Sequence, residues 1–340
     1  MPSQQRTFES RIDYSLLLPV LLLLSIGVTA IYIAVSHDYP NNVLQIVGQQ
    51  VVWILLGFLI SFIVMFFNTK FLWKMTPFLY LLGLGLMILP LVFYSESLVA
   101  STGAKNWVSI RGVTLFQPSE FMKISYILML SRVVVKFLQQ NKKYERTIAL
   151  DLFLIVKLAL YTLPVLLLLA LQSDLGTALV FAAIYCGIVL LSGVSWKIIL
   201  PVFLTVSLLF TVFMLIFISN GGRAFLHGLG MPTYQINRIS AWLHPFEYAQ
   251  TVTYQQAQGQ IAIGSGGLLG QGFNVSNLLV PVRESDMIFT VIAEDFGFLG
   301  SSLVIVIYLF LIHHMLQITI KSNNQFYTYI STGLIMMLLF

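Results

Sequence analysis

Tyr14-Ser-Leu-Leu-Leu-Pro-Val-Leu-Leu-Leu-Leu-Ser-Ile-Gly-Val-Thr-Ala-Ile-Tyr-Ile-Ala-Val-Ser36 contains no charged side chain. It exceeds the ~20 apolar residues that a helix needs to cross a bilayer core. It is also too long for the ~7–15-residue apolar centre of a cleaved leader, so it reads as a retained span. Further apolar segments follow near 48–67, 77–94, 119–138, 152–171, 176–193, 198–219, 286–316 and 326–340. The predicted fold is therefore all-α, a multi-pass transmembrane helix bundle formed as a single integral membrane domain over residues 1–340. Eight segments are full spans. The ninth reaches Phe340 with too few residues to cross, so the chain reads as cut within a span.

Composition agrees. Hydrophobic residues make up 58% of the 340 positions and charged residues 9%, whereas soluble domains carry roughly a quarter charged residues. The net charge of +5 comes from basic residues scattered between apolar runs, which excludes a nucleic-acid-binding patch and fits a positive-inside membrane protein. Arg6, Arg11, Lys70, Lys74, Lys136, Lys142, Lys143, Arg146, Lys197 and Lys321 fall on one side if the N-terminus is cytoplasmic. The lone Cys186 rules out a disulfide framework within the chain. His227, His244, His313 and His314 lack zinc-ligand spacing, so no metal ligands are assigned. Two long loops then face outward, at 95–118 and 220–285. The second alternates apolar and polar residues (Ile236, Ile239, Trp242, Leu243, Phe246), which predicts a structured loop of short amphipathic helices at the membrane interface.

Four stretches carry a resemblance: Phe116-Gln-Pro-Ser-Glu-Phe-Met-Lys123, Gln172-Ser-Asp-Leu-Gly-Thr177, Tyr254-Gln-Gln-Ala-Gln-Gly-Gln-Ile-Ala-Ile-Gly-Ser-Gly-Gly-Leu-Leu-Gly-Gln-Gly272 and Ser285-Asp-Met-Ile-Phe-Thr-Val-Ile-Ala-Glu294. In this order they resemble the RodA/FtsW family of shape, elongation, division and sporulation proteins, the elongation member more than the division member. The resemblance covers essentially the whole chain. It implies about ten spans in a complete member, the last of them falling after residue 340. It also implies a bacterial plasma-membrane glycosyltransferase that polymerises lipid II at its outer face, beside a class B penicillin-binding protein and other membrane proteins of the elongation machinery. Two departures stand out: Lys105-Asn106-Trp107 lacks the arginine that often precedes this tryptophan, and Ser285-Asp286-Met287 replaces Thr-Asp-Phe.

Lipid II presents its sugar on a diphosphate, already a good leaving group. Unlike a glycosidase with two carboxylates, such an enzyme needs one base for the acceptor hydroxyl and cations for the diphosphate. Direct displacement would invert the anomeric centre and release undecaprenyl diphosphate. The resemblance makes Asp286 the base; read by position alone, Asp286 or Ser285 caps the following helix. Glu284 is a weaker candidate, and Glu294 reads as a buried carboxylate further along the same helix. Glu120 and Lys123 share a helix face, either as an ion pair that lowers the cost of burying charge or with Glu120 orienting Lys123 towards diphosphate. Asp174 is a helix cap or a substrate contact. Among the outer arginines Arg111, Arg223, Arg238 and Arg283, Arg238 ranks first and Arg111 also stands as a diphosphate contact. The run containing Gly264, Gly266 and Gly267 either brings backbone amides to a phosphate or forms a tight turn. No cofactor is assigned; a divalent cation (Mg or Mn) accompanying the diphosphate stays open on charge grounds. The same inventory leaves two other classes open, a lipid II flippase and a non-catalytic scaffold for the penicillin-binding protein.

Overall fold

A computed structural model of the protein describes residues 13–96, 99, 103–110, 113–219, 221–231, 233–244, 246–247, 254–273, 275 and 280–340. In chain order they form α1 (Tyr14–Asp38), α2 (Val43–Val64), α3 (Thr69–Val92), the strands β1 (Val108–Ile110) and β2 (Val113–Phe116), α4 (Pro118–Gln140), α5 (Ile148–Gln172), α6 (Leu175–Leu191) and α7 (Trp196–Ile218). Then come α8 (Gly222–Gly228), α9 (Thr233–Leu243), α10 (Tyr254–Ser265), α11 (Ile288–Lys321) and α12 (Gln325–Leu339).

All nine apolar segments are helices among the described residues. Six of them (α1, α2, α3, α5, α7 and α11) are long and apolar enough to cross a membrane. The two further segments read as full spans also form helices. α4 is long enough but carries Glu120, Lys123, Arg132 and Lys136, and α6 has only 17 residues. The ninth, α12, has 15.

Local chemistry sets the boundaries. The side chains of Asp13, Asn68, Thr147, Asp174 and Asn324 each accept a hydrogen bond from a backbone N–H at the start of the helix that follows, bonding amides that the helix leaves unpaired. Pro118 stands at the first position of α4, where a missing N–H does no harm. The cap at Asn68 starts α3 at Thr69, eight residues before the apolar run begins, so Lys70 and Lys74 are helical.

The chain divides into two compact units, residues 1–66 with 205–311 and residues 67–204 with 312–340. In the second, α3, α4, α5, α6 and α12 enclose the main core, centred on Tyr126, Phe181, Leu154, Leu158, Leu169 and Ile184. Tyr126 packs edge-on to Phe181 at 5.0 Å between ring centroids, and its hydroxyl lies 2.7 Å from Thr162 Oγ1. Arg146 Nε donates to Asp151 Oδ1 at 2.7 Å and the Ser195 amide to Oδ2 at 2.8 Å, tying two connections to the start of α5.

In the first unit, Ala30, Ile33 and Ala34 of α1 pack on Val291, Ile292 and Val304 of α11. The described parts of the segment 220–285 include the short helices α8, α9 and α10. Ile236, Ile239 and Leu243 of α9 close with Leu226 over Phe217 at the end of α7. The hairpin β1–β2, antiparallel and irregular between Val108 and Ser109, was not predicted. It lies within the segment read as a loop.

Because lipid is as apolar as leucine, helix association in a membrane relies on close packing over small residues. Gly333 of α12 is such a point: a Cβ there would lie 2.6 Å from Ile127 Cγ2. Gly333→Leu is expected to lower stability by about 1–3 kcal/mol, seen as a reduced melting temperature in detergent. Gly27→Leu, where nothing lies within 4 Å, should leave it unchanged.

Candidate active site

The start of α11 shows how Asp286 is presented. Residues 281–287 form a turn ahead of the helix, and Asp286 is exposed. Its carboxylate makes no hydrogen bond or ion pair among the described residues, and neither Asp286 nor Ser285 caps α11 through its side chain. The capping alternative therefore does not describe this residue. Its carboxylate stays free for other chemistry.

The turn itself is fixed. Arg283 is 4% exposed; it donates from Nε to Asp38 Oδ2 at 2.7 Å and from Nη2 to Asp38 Oδ1 at 3.1 Å, a bidentate fork with directional specificity. Arg283 Nη1 also lies 3.6 Å from Glu294 Oε2. One guanidinium thus joins the end of α1, the turn and the second helical turn of α11. Gln255 of α10 adds a bond from Nε2 to the Pro281 carbonyl at 3.0 Å. Met287 and Thr290 crowd the position a Cβ on Gly259 would take, at 2.8 and 3.2 Å. Arg283 is a buried structural cation here rather than a headgroup contact, and Asp38, which no motif marked, is its main partner. Glu294, 1% exposed, keeps Oε1 without a partner, and so does Asp295 at Oδ2. The partly buried Glu284 likewise has an unpartnered Oε2.

Beyond these acids, α11 is interrupted. Gly297 has φ 64° and ψ −157°, a backbone region essentially confined to glycine. A break in a membrane helix frees backbone groups that lipid cannot bond. The glycine-rich run after α10 bonds them. The amides of Gln271 and Gly272 donate to the carbonyls of Glu294 and Asp295 at 2.9 and 3.2 Å. The amides of Phe298 and Leu299 donate to the carbonyls of Gly267 and Leu268 at 2.9 and 3.2 Å. Contact is tight enough that a Cβ on Gly266 would meet the Ala293 carbonyl oxygen at 1.9 Å and one on Gly270 the Asp295 oxygen at 2.0 Å. Gly266 and Gly267 therefore serve this junction, whereas Gly264 has open space around its Cα.

The second unit holds Glu120, Lys123 and Asp174. Lys123 Nζ lies 2.8 Å from Glu120 Oε2; the lysine side chain is 16% exposed and the glutamate 60%, so the pair forms with its cation turned inward. Asp174, at the start of α6, accepts from the Thr177 amide (3.0 Å), Thr177 Oγ1 (2.9 Å), Asn106 Nδ2 (2.9 Å) and Gln117 Nε2 (3.4 Å). Both its oxygens are taken by internal donors, and the cap reading describes it. Arg111 lies outside the described residues. Arg238 lies in α9 with its side chain outside the described set. Among the described residues no group of three or more His, Cys, Asp or Glu could hold a metal ion.

Helices of this length and apolarity define a multi-pass helical membrane protein. Residues 14–340 match the model of the FtsW/RodA/SpoVE family, described as cell cycle proteins, and the chain belongs to that family. It is 28% identical over 340 residues to the peptidoglycan glycosyltransferase MrdB of Escherichia coli (strain K12), covering 98% of this chain and 83% of that protein. A putative peptidoglycan glycosyltransferase FtsW of Cyanophora paradoxa is 28% identical over 309 residues, 89% of this chain and 70% of the relative. Among solved structures, the rod shape determining protein RodA of Thermus thermophilus superposes with a TM-score of 0.60 at 23% identity, over 96% of this chain and 81% of that one. A chain from a peptidoglycan synthase complex superposes with a TM-score of 0.72, also at 23% identity, over 96% and 83%.

Arg283→Ala would leave the buried Glu294 and the half-buried Asp38 without their guanidinium partner. Removing one partner of a buried pair costs on the order of 3 kcal/mol, so the melting temperature in detergent should fall, and Arg283→Lys should recover part of the loss.

Proposed function

We propose that this peptidoglycan glycosyltransferase polymerises lipid II into glycan strands during cell elongation, with Asp286 as general base. The carrying observation is that Asp286 keeps an unengaged carboxylate on a turn whose backbone is held by Arg283, Gln255 and α10. A base must be both available and positioned. Asp38 and Glu294, beside this turn, are both paired with Arg283.

In the reaction Asp286 takes the proton from the acceptor hydroxyl as that oxygen attacks the anomeric carbon. The bond to the diphosphate breaks, and undecaprenyl diphosphate leaves with the electron pair. Attack from the face opposite the leaving group inverts the centre. Arg238 is proposed for the diphosphate, where a cation stabilises the charge released. Magnesium is commonly held by one or two carboxylates together with substrate phosphates. Among the described residues no cage of three or more acids or histidines could hold a metal ion, which fits a cation delivered on the substrate that would neutralise the leaving diphosphate. The protein is placed in the bacterial plasma membrane with a cytoplasmic N-terminus and this site at the outer face. A class B penicillin-binding protein is its expected crosslinking partner, in keeping with the structural likeness to a chain of a peptidoglycan synthase complex.

The test is glycan-strand synthesis from purified lipid II by the protein with that partner. Asp286→Ala should reduce polymer at least ~100-fold at unchanged melting temperature and partner binding. Normal polymerisation by the variant would remove Asp286 from the mechanism. No polymer from the wild-type complex would bring forward lipid flipping, or a scaffold role. A chelator should lower synthesis and added Mg or Mn restore it; full activity in the chelator would exclude the cation.

A further inference from the structure

A pocket of about 410 Å³ lies in the second unit where the first turns of α3, the end of α4 and the connection from α11 to α12 come together, lined by Thr69, Lys70, Trp73, Lys74, Val135, Gln139, Asn324 and Phe326. We propose that it binds the phosphate headgroup of an anionic phospholipid, with Lys70 and Lys74 as the cationic contacts.

The charge is one-sided and uncommitted. Lys70 and Lys74 stand four residues apart, hence on one helix face. Neither forms a hydrogen bond or ion pair among the described residues, and no carboxylate lines the pocket. Two exposed lysines beside a neutral wall hold positive charge that an anion can neutralise. The neutral polar groups add donors. Asn324 uses its Oδ1 to cap α12 and keeps its amide nitrogen free, as does Gln139 at the end of α4.

The floor is aromatic. Trp73 meets Phe326 edge-on at 5.1 Å. Arg132 covers the indole at 5.3 Å and donates from Nη1 to the Trp73 carbonyl at 2.8 Å. A tryptophan at helix ends is typical of headgroup depth in a bilayer, and basic pockets between spanning helices are a recurrent way of holding anionic lipid heads. The phosphate could come from a lipid or from solution. The apolar surroundings favour the lipid. Phe67 and Phe71, tilted against each other at 4.7 Å between ring centroids and exposed at the same end of α3, offer a wall for acyl chains that a free anion would not use.

The test uses the full chain in detergent micelles, titrated with phosphatidylglycerol or phosphatidylcholine, with bound lipid counted by native mass spectrometry. The double variant Lys70→Gln/Lys74→Gln should weaken phosphatidylglycerol binding on the order of tenfold and leave phosphatidylcholine binding unchanged. Lys142→Gln/Lys143→Gln, in the neighbouring connection and outside the pocket, should bind phosphatidylglycerol as the wild type does. Equal loss in both double variants, or no loss in the first, would overturn the proposal. So would displacement of phosphatidylglycerol by millimolar inorganic phosphate, which would mark the pocket as a free-anion site.

Discussion

A helix interrupted among apolar side chains must have its freed amides and carbonyls bonded by some other part of the chain, because a bilayer core holds no water to do it. In this protein the interruption is at Gly297, and the groups that meet it belong to residues 267–272. Four backbone hydrogen bonds cross that junction. They explain why a segment so rich in glycine is also closely packed. Side chains at Gly266, Gly270 or Gly297 would occupy the space through which the two backbones approach. Once the run is seated there, α10 lies beside the start of α11, Gln255 reaches Pro281, and the turn carrying Asp286 is held between them.

The same turn is held from the opposite side by charge. Arg283 draws together Asp38 and Glu294 where neither acid has much water. A planar cation with fixed donors suits this better than lysine would, since each oxygen it meets is met along a defined direction. The exposed aspartate and the buried arginine lie three residues apart and have opposite tasks. One must stay unengaged, and the other is engaged as fully as its geometry allows.

Much of the architecture was legible because membrane helices are written in long apolar runs. The segments near 14–36 and 198–219 became α1 and α7 almost residue for residue, and the alternation at Ile236, Ile239 and Leu243 became α9. The Glu120–Lys123 ion pair was also legible, by its spacing. Other features were hidden for physical reasons. The break at Gly297 sits inside an apolar run whose composition is the same whether the helix is continuous or not. Only the unusual succession Glu294-Asp295-Phe296-Gly297 hints at it. Arg283 looked like a surface cation because its partner, Asp38, is 245 positions away. Helix ends are set by single caps rather than by hydropathy, so α3 begins at Thr69 although its apolar stretch begins later.

The interrupted α11 has a mechanical consequence. A continuous helix is a stiff rod that carries a twist or a push from one end to the other. At Gly297 the rod is jointed, and the short piece from Ile288 to Phe296 is braced sideways by Arg283 and the glycine run rather than lengthwise by the rest of α11. Both pieces meet the glycine run, the short one through the carbonyls of Glu294 and Asp295 and the remainder through the amides of Phe298 and Leu299, so a shift of α10 or of residues 266–272 bears directly on the base of the Asp286 turn. The element that bears most directly on this aspartate is therefore the segment before α11, rather than the length of the helix that follows it.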